Sequence, residues 1–203
     1  KLRPLQIGIQ VLPSLDQMIQ GQAISSSLQD VSIEDLLGRD EIPSDPKLMD
    51  QEIRGKSVMV TGAGGSIGSE LCREILKHEP RRLVLFEISE FSLYRLQQDL
   101  SDQDIHHTVP VLGNILDEER LSVVLTEHDV QTVFHAAAYK HVPLVEANPL
   151  EGLKNNVLGT KILVEVCRQH SVETFLLIST DKAVRPTNVM GASKRIAELI
   201  VQN

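Results

Sequence analysis

With 203 residues, 41% of them hydrophobic, the chain can bury one substantial core with room beside it for a smaller appendage. Its 20 Lys and Arg stand against 28 Asp and Glu, a formal net charge of -8, and the basic residues are scattered, which argues against broad nucleic-acid binding. No stretch approaches the roughly 18 apolar residues that a bilayer-spanning helix needs, so the piece as given reads as soluble.

Alternation at Ile7, Ile9 and Val11, then Pro13 and a short periodic stretch over 15–19, predict a strand and a helix with no domain of their own. We expect residues 1–22 to be the remnant of a preceding domain. Residues 23–50 turn Ser-, Gln- and Asp-rich and read as a linker with one docking helix, signalled by Ser32 three residues before Asp35 and ahead of Leu36 and Leu37. From 51 to 203 strand-like runs at 58–60, 83–86, 109–112, 133–136 and 175–178 alternate with helical periodicity. Predicted helices follow at 67–75, 91–100, 116–125 and 150–166, with a last one from about Met190. Strands alternating with helices of this length imply right-handed crossovers and a parallel sheet covered on both faces, a doubly wound α/β domain of the Rossmann type. The chain starts without Met and stops inside an apolar helical pattern, so it is expected to be part of something longer. Cys72 and Cys167, its two cysteines, fall in the predicted helices and read as small buried hydrophobes in a reducing compartment.

Directly after the first strand of the alternation comes Thr61 followed by Gly62, Ala63, Gly64, Gly65, Ser66, Ile67 and Gly68. Gly62 allows a tight turn, Gly65 lets backbone amides approach a pyrophosphate, and Gly68 lets the helix pack closely on the sheet. The N-terminus of that helix then faces phosphate charge. No Gly-Lys-Ser/Thr follows, which excludes a Walker loop. Glu87, at the end of the next strand, stands where an acid accepts hydrogen bonds from the adenosine ribose and repels a 2′-phosphate, so NAD is favoured over NADP. Asn114 and Ile115 follow the third strand at a position suited to an adenine edge. The small run Ala136, Ala137, Ala138 lets a dinucleotide lie flat across the strand ends.

Beyond the fourth strand Lys140, His141 and Glu146 form a polar cluster at the carboxyl edge of the sheet, where a substrate is expected. One His and one Glu without further ligands do not make a metal site. After the fifth strand stand Ser179, Thr180, Asp181 and Lys182, and the next helix carries Met190 and Lys194 four residues apart on one face. Ser179 lacks the elbow glycines and the His partner of a hydrolase nucleophile.

These motifs, with His135 before the Ala run and Asn155-Asn156-Val-Leu-Gly-Thr, resemble the extended short-chain dehydrogenases. More narrowly, Lys140-His141-Val-Pro-Leu-Val-Glu146 and Arg185-Pro-Thr-Asn188-Val-Met190-Gly-Ala-Ser-Lys194 resemble the CapD-type polysaccharide-biosynthesis 4,6-dehydratases. The resemblance implies removal of water from UDP-N-acetylglucosamine to a 4-keto-6-deoxy sugar, with oxidation at carbon 4, elimination across carbons 5 and 6, and NAD recycled. The general family pairs Tyr with a Lys four residues on; Met190 matches the long, membrane-anchored subgroup and cannot exchange a proton. The Tyr's work then falls to Asp181, which would also protonate the departing 6-hydroxyl, while Lys182 takes the carbon-5 proton. Thr180 would bond the 4-hydroxyl, Lys194 the nicotinamide ribose, and Asn156 would fix the local backbone beside the cofactor. The family also implies a homo-oligomer, a membrane anchor upstream, action at the cytoplasmic face of the inner membrane, and a place in O-antigen, capsule or glycan synthesis. A nucleotide-sugar 4-epimerase or keto-reductase is the alternative enzyme, disfavoured because neither needs a base for carbon 5. A non-catalytic dinucleotide sensor would explain the missing Tyr but not the retained acid and lysines.

Overall fold

In the computed structural model of the chain, residues 10–11, 29–30, 46–101 and 107–203 are described. The chain divides into two compact units, Lys1–Ser44 and Asp45–Asn203. In the first, β1 (Gln10–Val11) pairs antiparallel with β2 (Gln29–Asp30). The expected strand residues Ile7 and Ile9, the helix over 15–19 and the docking helix after Ser32 lie outside the described residues, as does His106.

The second unit opens with α1 (Pro46–Ile53), which sits astride the boundary expected between 50 and 51. A five-stranded sheet follows: β3 (Ser57–Thr61), β4 (Arg82–Glu87), β5 (Thr108–Leu112), β6 (Thr132–His135) and β7 (Thr174–Leu177). Every pairing is parallel and the order is β5-β4-β3-β6-β7, so the chain reverses its direction of travel across the sheet between β5 and β6. This is the doubly wound arrangement, in which the crevice at the reversal point receives ligands.

Buried side chains alternate along the strands and give each face its own core. Val58, Val60, Leu83 and Leu85 face one side with Cys72, Ile75, Leu93, Leu96 and Leu100, from α2 (Ser66–Lys77) and α3 (Glu90–Ser101). Met59, Val84, Phe86 and Val133 face the other, against Leu121, Val124, Leu163 and Val166 of α4 (Glu118–His128) and α7 (Thr160–Gln169). Both cysteines are buried and free, and burial pushes each thiol up to about 12. Local signals match the ends: the Asp117 carboxylate accepts from the Arg120 amide at 2.9 Å and starts α4.

Three stretches differ from the sequence expectation, the first being α1, which covers the end of the expected linker. The segment after β6 contains an additional short helix, α5 (Val142–Ala147), with Pro143 in its first turn, where no N–H is needed. The single helix expected over 150–166 is α6 (Pro149–Leu153), a π-helical turn over Lys154–Gly159, then α7. The wider turn has a polar cause: the Asn156 side chain accepts from the Tyr139 amide at 2.8 Å and donates to the Tyr139 carbonyl at 3.0 Å. The chain ends in α8 (Val189–Gln202), whose Asn188 cap accepts from the Gly191 amide. Among the described residues no helix is long and apolar enough to cross a membrane.

Candidate functional site

The carboxyl ends of β3, β4 and β6 enclose a cleft of about 210 Å³. The chain turns out of β3 at Gly62, whose φ of +68° favours glycine, and an added Cβ there would lie 2.7 Å from the Ala137 backbone. The glycine turn and the Ala run are thus in contact, which explains why both are small. Gly68 packs beneath: a Cβ on it would stand 2.0 Å from the Gly62 carbonyl oxygen. Gly65 caps α2 with no side-chain hydrogen bond, so the first turn of that helix offers its amides to the cleft.

Glu87 is only 7% exposed and lines this cleft. Its Oε2 accepts from the Gly64 amide at 2.9 Å and its Oε1 from the Ile88 and Ser89 amides at 3.0 Å. Three of roughly four acceptor positions are thereby used, which leaves room for one hydroxyl donor. Ile115, Ala136, Ala137, Ala138 and Asn114 line the same cleft, with Asn114 Oδ1 already accepting from the Leu116 amide. The chain therefore offers helix amides for phosphate and a carboxylate for ribose, a donor set that fits a dinucleotide.

A second cleft, of about 240 Å³, shares Ala136 and Ala138 with the first and gathers Ile67, Lys140, Thr180, Lys182, Met190 and Lys194. Lys194 is 7% exposed, and its ammonium donates to the Ile178 carbonyl at the end of β7. Burial holds its pKa below the usual lysine range. Met190, one turn earlier, is buried. The 180–182 segment is more open: a 3-10 turn over Asp181–Ala183 leaves the Asp181 side chain 75% exposed and Lys182 51%. Thr180 donates to Asp181 Oδ1 at 3.0 Å and Lys182 Nζ lies 3.2 Å from the same oxygen. The Thr180 hydrogen bond, with that of Lys182 and its charge, holds the Asp181 carboxyl below the ordinary aspartate value.

Several expected contacts take another form. Asp181 is not part of the cleft wall and reaches it through the Thr180 hydroxyl. Asn156 does not line the cofactor cleft; it is buried, and besides its two bonds to Tyr139 it donates to Ser193 Oγ of α8. Gly64 serves Glu87, and the Ser66 hydroxyl accepts from Lys140 Nζ at 2.9 Å. Lys140 and His141 line a third cleft of about 400 Å³ that adjoins the second, whereas Glu146 accepts from the Val189 amide and anchors the start of α8. His107 is exposed.

Sequence reasoning missed Asn155, Tyr139 and Ser92 in the cofactor cleft. Asn155 comes to that wall through the π-helical turn, and no α-helical spacing announces it. It also missed what His135 does. This ring is fully buried between Thr61 at 2.7 Å and Thr160 at 3.0 Å, and Thr160 passes its own proton to the Asn156 carbonyl. Thr160 must therefore accept from Nε2–H, and Nδ1 accepts from Thr61. Burial, aided by the Lys194 charge, lowers the imidazole pKa to about 3, so it is neutral. One polar chain thus links the glycine turn, β6, the π-helical turn and α8.

The chain is similar to known proteins. The family described as "Polysaccharide biosynthesis protein" matches residues 58–203. The capsular polysaccharide biosynthesis protein CapD of Staphylococcus aureus is 44% identical over 95% of this chain and 32% of its own length. A UDP-N-acetylglucosamine 4,6-dehydratase (inverting) of Campylobacter jejuni is 33% identical over 69% of this chain and 41% of its own. The X-ray structure of Pen from Bacillus thuringiensis superposes with a TM-score of 0.69 at 29% identity, covering 73% of this chain and 45% of that one. The chain spans about a third to two fifths of the length of these curated relatives. The resemblance drawn from the motifs, and the short-chain dehydrogenase fold it implied, are thereby shown: the chain belongs to the polysaccharide biosynthesis protein family, whose relatives include nucleotide-sugar dehydratases.

Proposed function

We propose that this chain is the dinucleotide-binding and catalytic part of a UDP-N-acetylglucosamine 4,6-dehydratase. The observation that carries the reading is the second cleft, where Thr180, Lys182, Met190 and Lys194 face the small Ala wall of the adjoining dinucleotide-shaped cleft. NAD, when bound, would supply oxidation at carbon 4 and the matching reduction at carbon 6, so that none is consumed.

The chain's own residues do the proton work. Thr180 faces the cleft and donates to Asp181, so a proton leaving the sugar's 4-hydroxyl passes through Thr180 to that carboxylate. The ketone at carbon 4 makes the carbon-5 hydrogen acidic, and Lys182 removes it. Lysine accepts a proton only as the free amine, so Lys182, half exposed, first gives its own proton to solvent. Asp181, protonated in the first step, then gives its proton to the departing 6-hydroxyl, and Lys182 returns its proton to carbon 5 as carbon 6 is reduced. Lys194 holds the nicotinamide ribose from its buried seat, and Glu87 the adenosine ribose, which favours NAD over NADP. Lys140 and His141 face the sugar nucleotide in the adjoining cleft.

The test uses the full-length protein with UDP-N-acetylglucosamine and NAD. A 4-keto-6-deoxy product without net absorbance change at the NADH band supports the reading. Accumulated NADH, or a product changed only in configuration at carbon 4, overturns it.

A further inference from the structure

On α8, residues 190, 194 and 198 share one face. The first two belong to the cleft already described. Glu198 lies beyond it, yet it makes the next contact along the same seam. While Lys194 donates to the Ile178 carbonyl, the hydroxyl of Ser179, the following residue, donates to Glu198 Oε1 at 2.5 Å. Ser179 lines the catalytic cleft and leads directly into the 180–182 turn. Two neighbouring points on the end of β7 are therefore pinned by two side chains one helical turn apart.

We propose that Glu198 is a positioning residue of this site. One carboxylate oxygen holds Ser179, and with it the start of the 180–182 turn, against α8, while the carboxylate charge faces the Lys194 ammonium one turn away. The proposal rests on the reading of this cleft as the catalytic one.

The surrounding charges single out Glu198 for this work. Lys140 and Lys182 line the same cleft as Lys194 and are its other basic side chains. Asp181 is paired with Lys182, and Glu146 is bonded to the Val189 amide. His135 of β6, buried and neutral, adds no charge. Glu198 is itself tied to Arg195 at 2.7 Å through Oε2, which fixes the carboxylate for Ser179. Burial lowers the Lys194 pKa, and the Glu198 charge opposes that fall.

The full-length protein carries the test, as Glu198→Gln and Glu198→Ala. The readouts are the pH profile of sugar turnover and the pH dependence of reductive methylation at Lys194, read by mass spectrometry. Glu198→Gln keeps an acceptor for Ser179 but loses the charge, so the alkaline limb and the methylation curve both move to lower pH, by roughly half a pH unit or more. Glu198→Ala also frees the loop, and kcat falls by about tenfold or more, most of which Gln restores. Should the Ala variant fail to fold, Ser179→Ala replaces it, lowering kcat with the Lys194 curve unmoved. A Gln methylation curve that superimposes on that of the unmodified protein overturns the counter-charge. Unchanged kcat in the Ala variant, or no restoration by Gln, overturns the positioning. If the unmodified protein turns over no UDP-sugar, the dehydratase reading falls, while the methylation curves still decide Glu198.

Discussion

The two halves of the site are built to different standards of rigidity. On the buried side Glu87 is held by three backbone amides, the Asn156 side chain by four hydrogen bonds, and Lys194 by burial against a carbonyl. On the proposed sugar side Thr180, Asp181 and Lys182 bond chiefly to one another, and the Asp181 and Lys182 side chains stand open to solvent. Backbone amides brought together by the sheet cost no side-chain entropy to hold in place, whereas an exposed ion pair orders two flexible side chains for a median of about 0–1 kcal/mol. The first half is therefore preorganised by the fold, and the proposed sugar half is left open by it.

The largest expected effect breaks the open half. In the full-length protein Asp181→Asn should lower turnover by about 10² to 10⁴, the usual loss of a general acid/base, with NAD affinity nearly unchanged. A turnover near that of the unmodified enzyme removes Asp181 from the chemistry. The preorganised half responds in stability instead. Gly68→Ala places a Cβ 2.0 Å from the Gly62 carbonyl, so the glycine turn must move; we expect a loss of about 1–3 kcal/mol in thermal denaturation and weakened dinucleotide binding in calorimetry.

His135 braces the buried half and gives a pH signature. Its imidazole pKa falls from 6.5 to about 3 on folding, so between those values only the unfolded chain binds the proton. Stability should then decline as pH drops from about 6.5 to about 3, and the decline should flatten in His135→Asn. Melting temperatures across that interval decide it, an unchanged slope counting against His135 as the cause.

Glu87→Ser should narrow the preference for NAD over NADP in paired calorimetric titrations. Because three amides lose their acceptor, it should also lower stability by about 1–3 kcal/mol. Equal affinity for both cofactors in the unmodified protein would remove Glu87 from the ribose site. The smallest effect belongs to Met190→Leu, a swap of similar volume in a buried position, expected to cost under about 1.5 kcal/mol and little turnover. A heavier loss of activity than in Asp181→Asn would reverse the assignment of roles.

The strands and the glycine turn were legible because their signals are local: alternating apolar residues, a turn that only Gly accommodates, an Asn or Asp at a helix start. The helix over 150–166 was legible as a helix, and its π-helical turn was not, because the cause is the pair of hydrogen bonds between the Asn156 side chain and the Tyr139 backbone, 17 residues away. For the same reason Asn156 was placed at the cofactor and Asn155 passed over. Glu146 reads as a substrate ligand by its nearness in sequence to Lys140, and the fold brings one of its carboxylate oxygens to the Val189 amide, 43 residues on.

By itself, then, the sequence determined the order of strands and helices, the nature of the phosphate-facing turn and the set of side chains at the carboxyl edge, since each follows from residue type and short-range spacing. Only the tertiary structure decided which of those side chains face the clefts, which brace them, and which tautomer His135 holds. Those outcomes depend on hydrogen bonds between elements distant along the chain, whose burial makes every unpaired polar group costly and so leaves one arrangement in which all are satisfied.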